Sequence, residues 1–274
     1  MTTQTTITLS QRTLDILKNF STINSNILVK PGNKLVTISP VKNVMSEAII
    51  HEDFDIEFGI WDLSKFLGTV SLFAKPEFEF HEKFVIISDE KKKSEVTYHY
   101  SEPRLLTTVN KEINMPESVV DCTITHGILN DILKASSVLQ VNDIAIRSNG
   151  SSLEIVALDK SDSTSNNYSI ELGELPNDHD FTFYFKAENL KMLPGDYDVK
   201  ITDKIISQFK KVNDELTYWI ALESDSQYGG WFVNTLEKDE YLWVEKYRPK
   251  NIDECILPES IKSTFQSMVD SGES

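Results

Sequence analysis

The eight residues Leu14-Asp15-Ile16-Leu17-Lys18-Asn19-Phe20-Ser21 return 116 positions later as Asn130-Asp131-Ile132-Leu133-Lys134-Ala135-Ser136-Ser137, with five of the eight identical. A repeat of this kind constrains a fold more than any local motif, because both copies must bury the same face within one packing scheme. Each copy is followed by a short apolar run (Ile27-Leu28-Val29; Ile144-Ala145-Ile146), a glycine turn (Gly32; Gly150) and a second run (Leu35-Val36-Thr37-Ile38; Leu153-Glu154-Ile155-Val156). Each unit reads helix, strand, turn, strand. A second helix is expected further along each half, over 61–73 and over 186–193, the latter stopped by Pro194-Gly195. Alternating segments such as Glu77-Phe78-Glu79-Phe80-His81, Val96-Thr97-Tyr98-His99-Tyr100 and Phe181-Thr182-Phe183-Tyr184-Phe185 fill the remainder. Alternation places every second side chain on one sheet face, so the expected class is α+β, two similar domains with antiparallel sheets.

A chain of 274 residues accommodates two ordinary domains. Residues 102–118, with Pro103 and Pro116 near the two ends and weak periodicity, read as a connector over the surface. The expected domains are therefore 1–110 and 111–228, followed by an extension over 229–274 that begins at the Gly229-Gly230 pair. No apolar run approaches the roughly 18 residues a membrane helix needs, and residues 1–6 lack the regions of a signal peptide, so no membrane partner and a cytoplasmic location are expected.

Catalytic constellations are missing from the sequence. There is no GxGxxG or GxxxxGK[ST], and Gly229-Gly230 precedes Trp231 rather than a helix N-terminus. The five histidines (His51, His81, His99, His126, His179) form no HxH or HxxxH pair. Cys122 and Cys255 are too isolated to suggest a zinc module or a disulfide scaffold. Asp159, Asp162 and Ser163 lack the glycine turn and closing glutamate of a calcium loop. Asp178-His179-Asp180 reads as a turn before a strand, and Lys91-Lys92-Lys93 as a solvated hairpin tip. The expectation is a protein without catalytic residues, metal or cofactor.

The charge distribution is more informative. Lys and Arg total 27 against 43 Asp and Glu, a net charge of −16 that argues against coating nucleic acid with the whole surface. On a helical wheel of residues 10–22, Leu14, Leu17 and Phe20 share one side, while Gln11, Arg12, Asp15, Lys18, Asn19 and Thr22 share the other. Across the four expected helices, Arg12, Lys18, Lys65, Lys134, Lys186 and Lys191 outnumber Asp15, Asp62, Asp131 and Glu188. A local basic excess in an acidic chain, recurring at Lys18 and Lys134 in both repeats, makes a helix face the candidate for phosphate contact.

Over residues 7–228 the chain resembles the DNA polymerase sliding clamps of T-even-type phages. The resemblance is carried by residues 14–26, by Phe58-Gly59-Ile60-Trp61-Asp62-Leu63-Ser64-Lys65-Phe66-Leu67-Gly68, by residues 132–146 and by the strand Tyr218-Trp219-Ile220-Ala221-Leu222-Glu223-Ser224-Asp225-Ser226. It implies a ring of three two-domain chains, each clamp-type domain contributing two helices that line the hole. It further implies a processivity factor that encircles double-stranded DNA, tethers the DNA polymerase and is placed by a clamp-loader ATPase in the infected host cell. By residue-wise transfer, Arg12, Lys18, Lys65, Lys134, Lys186 and Lys191 are expected to face phosphates without base readout. A partner-peptide pocket beside the connector is expected at Val44, Met45, Leu105, Leu106 and Ile220. The alternative is a clamp-fold interaction scaffold that does not encircle DNA.

The extension differs in kind. Trp243-Val244-Glu245-Lys246-Tyr247-Arg248-Pro249-Lys250-Asn251-Ile252-Asp253-Glu254-Cys255-Ile256 resembles the N-terminal signature of clamp-loader ATPase subunits, but no phosphate-binding loop follows it in this sequence.

Overall fold

The two halves fold through the same succession of elements. In the first half these are β1 (Thr6–Ile7), α1 (Gln11–Ile23), β2 (Ile27–Val29), β3 (Gly32–Ile38), β4 (Val44–Phe54), β5 (Phe58–Ile60), α2 (Leu63–Val70), β6 (Glu77–Phe80), β7 (Phe84–Ser88) and β8 (Glu95–His99). In the second they are β9 (Val120–Ile124), α3 (His126–Leu139), β10 (Asp143–Asn149), β11 (Ser152–Leu158), β12 (Tyr168–Glu174), β13 (Phe181–Lys186), a 3-10 turn (Ala187–Leu190), β14 (Tyr197–Ile201), β15 (Ile206–Lys211) and β16 (Leu216–Ala221). A final hairpin, β17 (Gln227–Tyr228) and β18 (Trp231–Phe232), follows. This computed structural model describes residues 6–89, 93–109, 113–162, 164–175 and 179–232. Residues 243–256, expected to resemble a clamp-loader N-terminus, together with Asp178 and most of the lysine tip at 91–93, lie outside the described residues.

Pairing repeats as faithfully as element order. The β1·β6, β6·β7 and β7·β8 ladders correspond to β9·β14, β14·β15 and β15·β16; β2·β5 corresponds to β10·β13, and β3·β4 to β11·β12, all antiparallel. The match extends to single bonds: the Ser101 amide donates to Gly59 O at 2.9 Å, and the Glu223 amide to Tyr184 O at 2.8 Å. The β10·β11, β13·β17 and β17·β18 ladders have no counterpart in the first half, and one further ladder joins the two halves. Strand β4 pairs with β16, opposing Val44 to Ile220 and Ala48 to Leu216, so β3, β4, β16, β15, β14 and β9 form one six-stranded sheet across the two halves. The equivalent strands of the other halves, β12 and β8, each lie at the edge of their sheet.

The core forms where helices pack on these sheets. Ile16, Leu17 and Phe20 of α1 are buried, as are Leu63, Phe66 and Val70 of α2 and Leu129 and Ile132 of α3. All three helices begin at side-chain caps, Ser10, Asp62 and Thr125, that accept from the backbone amide three residues on and satisfy an otherwise orphaned donor. The fourth expected helix, 186–193, is only the 3-10 turn. Lys186 supplies no side-chain cap, Leu193 N donates to the Tyr218 hydroxyl at 3.1 Å instead of continuing a helix, and Pro194 blocks extension. The expected break at Gly229-Gly230 is the turn of the β17–β18 hairpin, both glycines having positive φ, so the sheet runs to Phe232 rather than ending at Tyr228.

Candidate nucleic-acid interface and partner pocket

Of the six cations expected on the helix face, Lys18 on α1, Lys65 on α2, Lys134 on α3 and Lys191 after the 3-10 turn are exposed, and none takes an ion pair among the described residues. Asn19 Nδ2 donates to Lys191 O at 3.0 Å, which places the α1 face directly beside the second-half turn. Lys18 also lines a groove of about 640 Å³, together with Leu14, Leu67, Val70 and Lys75. Exposed Asp15, Asp131 and Glu188 lie on the same elements and weaken the local positive field.

Arg12 and Lys186 are committed elsewhere. Arg12 Nε donates to Asp214 Oδ1 at 3.1 Å, Nη2 also binds that carboxylate, and Nη1 donates to Ile49 O at 2.9 Å. Burial opposes the Asp214 charge, but the Arg12 hydrogen bond and charge, reinforced by Lys211 Nζ at 3.3 Å, outweigh it and hold the carboxyl below its ordinary range. Lys186 Nζ is 2.7 Å from Asp143 and 3.9 Å from Glu223. Their charges are paired within the fold, unlike those of the other four cations.

The five residues expected to form the partner pocket do not share a surface. In an antiparallel ladder opposed residues share a face and successive residues alternate. Tyr218, whose hydroxyl donates to Asn19 of α1 at 2.6 Å, marks the helix side of the shared sheet. Ile220 and its partner Val44 lie on that side and are buried in the core. Met45 faces the opposite, outer side, opposed by Trp219 and by Ile38. Leu106 is buried against Gly59, where an added Cβ would lie 2.5 Å from its Cδ1, while Leu105 is 59% exposed on the connector. Ile38, Met45 and Trp219 form an apolar trio on that outer side, Ile38 and Met45 being buried and Trp219 half-buried, and the Trp219 indole N–H has no acceptor among the described residues. Only Met45 of the three was singled out from sequence; strict alternation around Trp219 was the available signal.

A duplicated helix-on-sheet chain, with one antiparallel sheet spanning both halves, has a two-domain clamp-type architecture. Residues 10–103 match the family model described as DNA polymerase processivity factor, and residues 104–224 that described as gp45 sliding clamp, C terminal. The sliding clamp of Vibrio phage KVP40 is 30% identical over 221 residues, covering 79% of this chain and 99% of the relative. That of Enterobacteria phage T4 is 31% identical over 225 residues, covering 80% and 97%. Among solved structures, an A. fulgidus PCNA bound to the C-terminal region of FEN-1 aligns with TM-score 0.61 at 13% identity, covering 81% of this chain and 98% of that one. A proliferating cellular nuclear antigen from Entamoeba histolytica gives 0.57 at 14%, covering 77% and 94%. The chain belongs to the sliding clamp family. It is a DNA polymerase processivity factor.

Proposed function

We propose that three copies of this chain close head to tail around duplex DNA, with α1, α2 and α3 lining the hole. The observation that carries this reading is the ladder between the halves: β4·β16 joins two halves within a chain, and its counterpart strands β12 and β8 are left as edges that a second copy can pair. Six equivalent units then complete a ring. Lys18, Lys65, Lys134 and Lys191 supply weak, sequence-independent phosphate contacts, while the overall acidity discourages adhesion outside the hole. Arg12 and Lys186 hold the protein together rather than the DNA. The replicative polymerase docks an apolar peptide side chain against the half-buried Trp219, with the buried Ile38 and Met45 behind it, and a clamp-loader ATPase opens the ring.

The protein acts without catalytic chemistry or cofactor, in the cytoplasm of the infected cell. The extension after Phe232, with its loader-like segment, is an appendage without ATPase activity. Sedimentation of the full chain and of a chain ending at Phe232, at tens of micromolar, tests both statements. Trimer mass for both supports the ring and the dispensable tail. A strict monomer refutes the ring in favour of a scaffold, and ATP turnover that disappears on truncation refutes the appendage reading.

A further inference from the structure

The four exposed cations of the helix side share a sequence context that the two paired ones lack. Three residues before Lys18 stands Asp15, before Lys65 Asp62, before Lys134 Asp131 and before Lys191 Glu188. At the same spacing before Arg12 and Lys186, the cations held by carboxylates of other elements, stand Leu9 and Phe183. The pattern therefore follows the exposed surface and not the residue type. The repeat accounts for part of it, since Asp15 and Lys18 return 116 positions later as Asp131 and Lys134. Asp62 with Lys65 and Glu188 with Lys191 stand on elements that differ, one an α-helix and the other a 3-10 turn.

A spacing of three puts both charges of each doublet on one side of its element. On α1 and α3 such residues are neighbours, with Cβ atoms roughly 5–6 Å apart. In a 3-10 turn they eclipse. Asp62 caps α2 and accepts from Lys65 N at 2.8 Å, so its carboxylate lies over the same first turn. Asp15 and Lys18 line one groove. All four lysines are exposed, as are Asp15, Asp131 and Glu188, while Asp62 is half-buried. Among the described residues no doublet closes into an ion pair, so each lysine is open to a second anion while its own carboxylate stands one turn away. The four-carbon lysine stem carries its ammonium further from the backbone than the single methylene of aspartate carries a carboxylate, and an approaching phosphate meets the ammonium first.

We propose that the four carboxylates are release groups for the DNA contact: as a phosphate moves past, the lysine it leaves is taken back by the carboxylate three residues earlier. This rests on the helix side being the DNA-facing surface. Each phosphate contact by a bare lysine releases counterions and multiplies affinity, so four uncompensated cations per copy would hold the duplex in place. Four doublets without net charge bind it weakly and let it pass.

The test combines Asp15→Asn, Asp62→Asn, Asp131→Asn and Glu188→Gln in the full chain. Asparagine keeps the acceptor that caps α2 and the one that receives the Gln11 amide. A control removes the same charge from exposed carboxylates off the helices, by Asp53→Asn, Glu57→Gln, Glu82→Gln and Asp203→Asn. Fluorescence anisotropy with a labelled duplex reads affinity against salt, and circular dichroism melting confirms an intact fold. The doublet variant is expected to bind about tenfold or more tightly at low salt and the control to stay within about threefold of the natural chain, the difference narrowing as salt rises. Equal gains in the two variants, or no gain in the doublet variant while Lys18→Gln with Lys134→Gln weakens binding, overturn the inference and leave the DNA-facing surface standing. If neither the carboxylate nor the lysine substitutions move the affinity, the DNA-facing reading itself fails.

Discussion

Arg12 offers the sharpest separation of a structural cation from a DNA-facing one. Replacing it by Met keeps most of the stem volume while removing two charge-assisted bonds to Asp214 and one bond to Ile49 O. A hydrogen bond to a charged group contributes about 1.5–3 kcal/mol net, but Lys211 still pairs Asp214 in the variant, so the second bond is partly replaced. The freed Ile49 carbonyl adds up to about 1 kcal/mol. The expected loss is about 3 kcal/mol, or roughly 6–12 °C in Tm for a chain of this size. The pH dependence gives a second reading. Because the folded Asp214 carboxyl lies below its ordinary range, its stabilisation is present above the unfolded pKa of roughly 3.9 and is lost as pH falls through the folded value. The gap between the natural chain and Arg12→Met should therefore be full at pH 7 and close toward pH 3, while polymerase stimulation at 20 °C is retained. Calorimetric scans across that range, with primer extension alongside, check both. A Tm change below 2 °C, or lost stimulation in a fully folded variant, would return Arg12 to the DNA-facing set.

Replacing Lys18 and Lys134 by Glu should leave melting within about 2 °C of the natural chain yet shorten products on long primed templates; unchanged product lengths across salt concentrations would refute their assignment. Gly59→Ala forces a Cβ to within 2.5 Å of Leu106 and 2.7 Å of the Ser101 carbonyl, so the start of the connector must shift, at a cost of roughly 1–3 kcal/mol; urea unfolding with an unchanged midpoint would contradict the geometry. Burial, with Asp121 adding to it, pushes the Cys122 thiol up to about 12, and its reaction with a disulfide reagent at pH 8 should be slow until the chain is unfolded; fast single-phase labelling of the Cys255→Ser variant under native conditions would show otherwise.

Local signals were legible where a single element decides them. The repeated amphipathic stretch did become α1 and α3, and alternation located strands such as β8 and β13. What resisted reading depends on residues far apart in sequence. Arg12 and Asp214 are separated by 202 positions, so a wheel that correctly puts Arg12 on the polar side of α1 cannot reveal that its charge is already matched. Likewise, the alternation of β16 divides Trp219 from Tyr218 and Ile220, but the side facing the helices is set by its pairing with β4. The fourth helix failed for a related reason: its polar and apolar spacing is adequate, but Leu193 and Lys191 give their backbone groups to Tyr218 and Asn19 of other elements.

The β4·β16 ladder also bears on how the chain matures during synthesis. Strand β4 is complete by residue 54, whereas its partner begins at residue 216, so a growing chain carries the β4 edge without its own partner through most of translation. At about 5–20 residues per second that interval lasts roughly 10–30 seconds. During it, the exposed edge can be captured by a finished β16 from another molecule, and a swap of this kind would yield tangled oligomers with the same strand pairing as the native protomer. The ladder thus ties the completion of the first half to the last strand of the second.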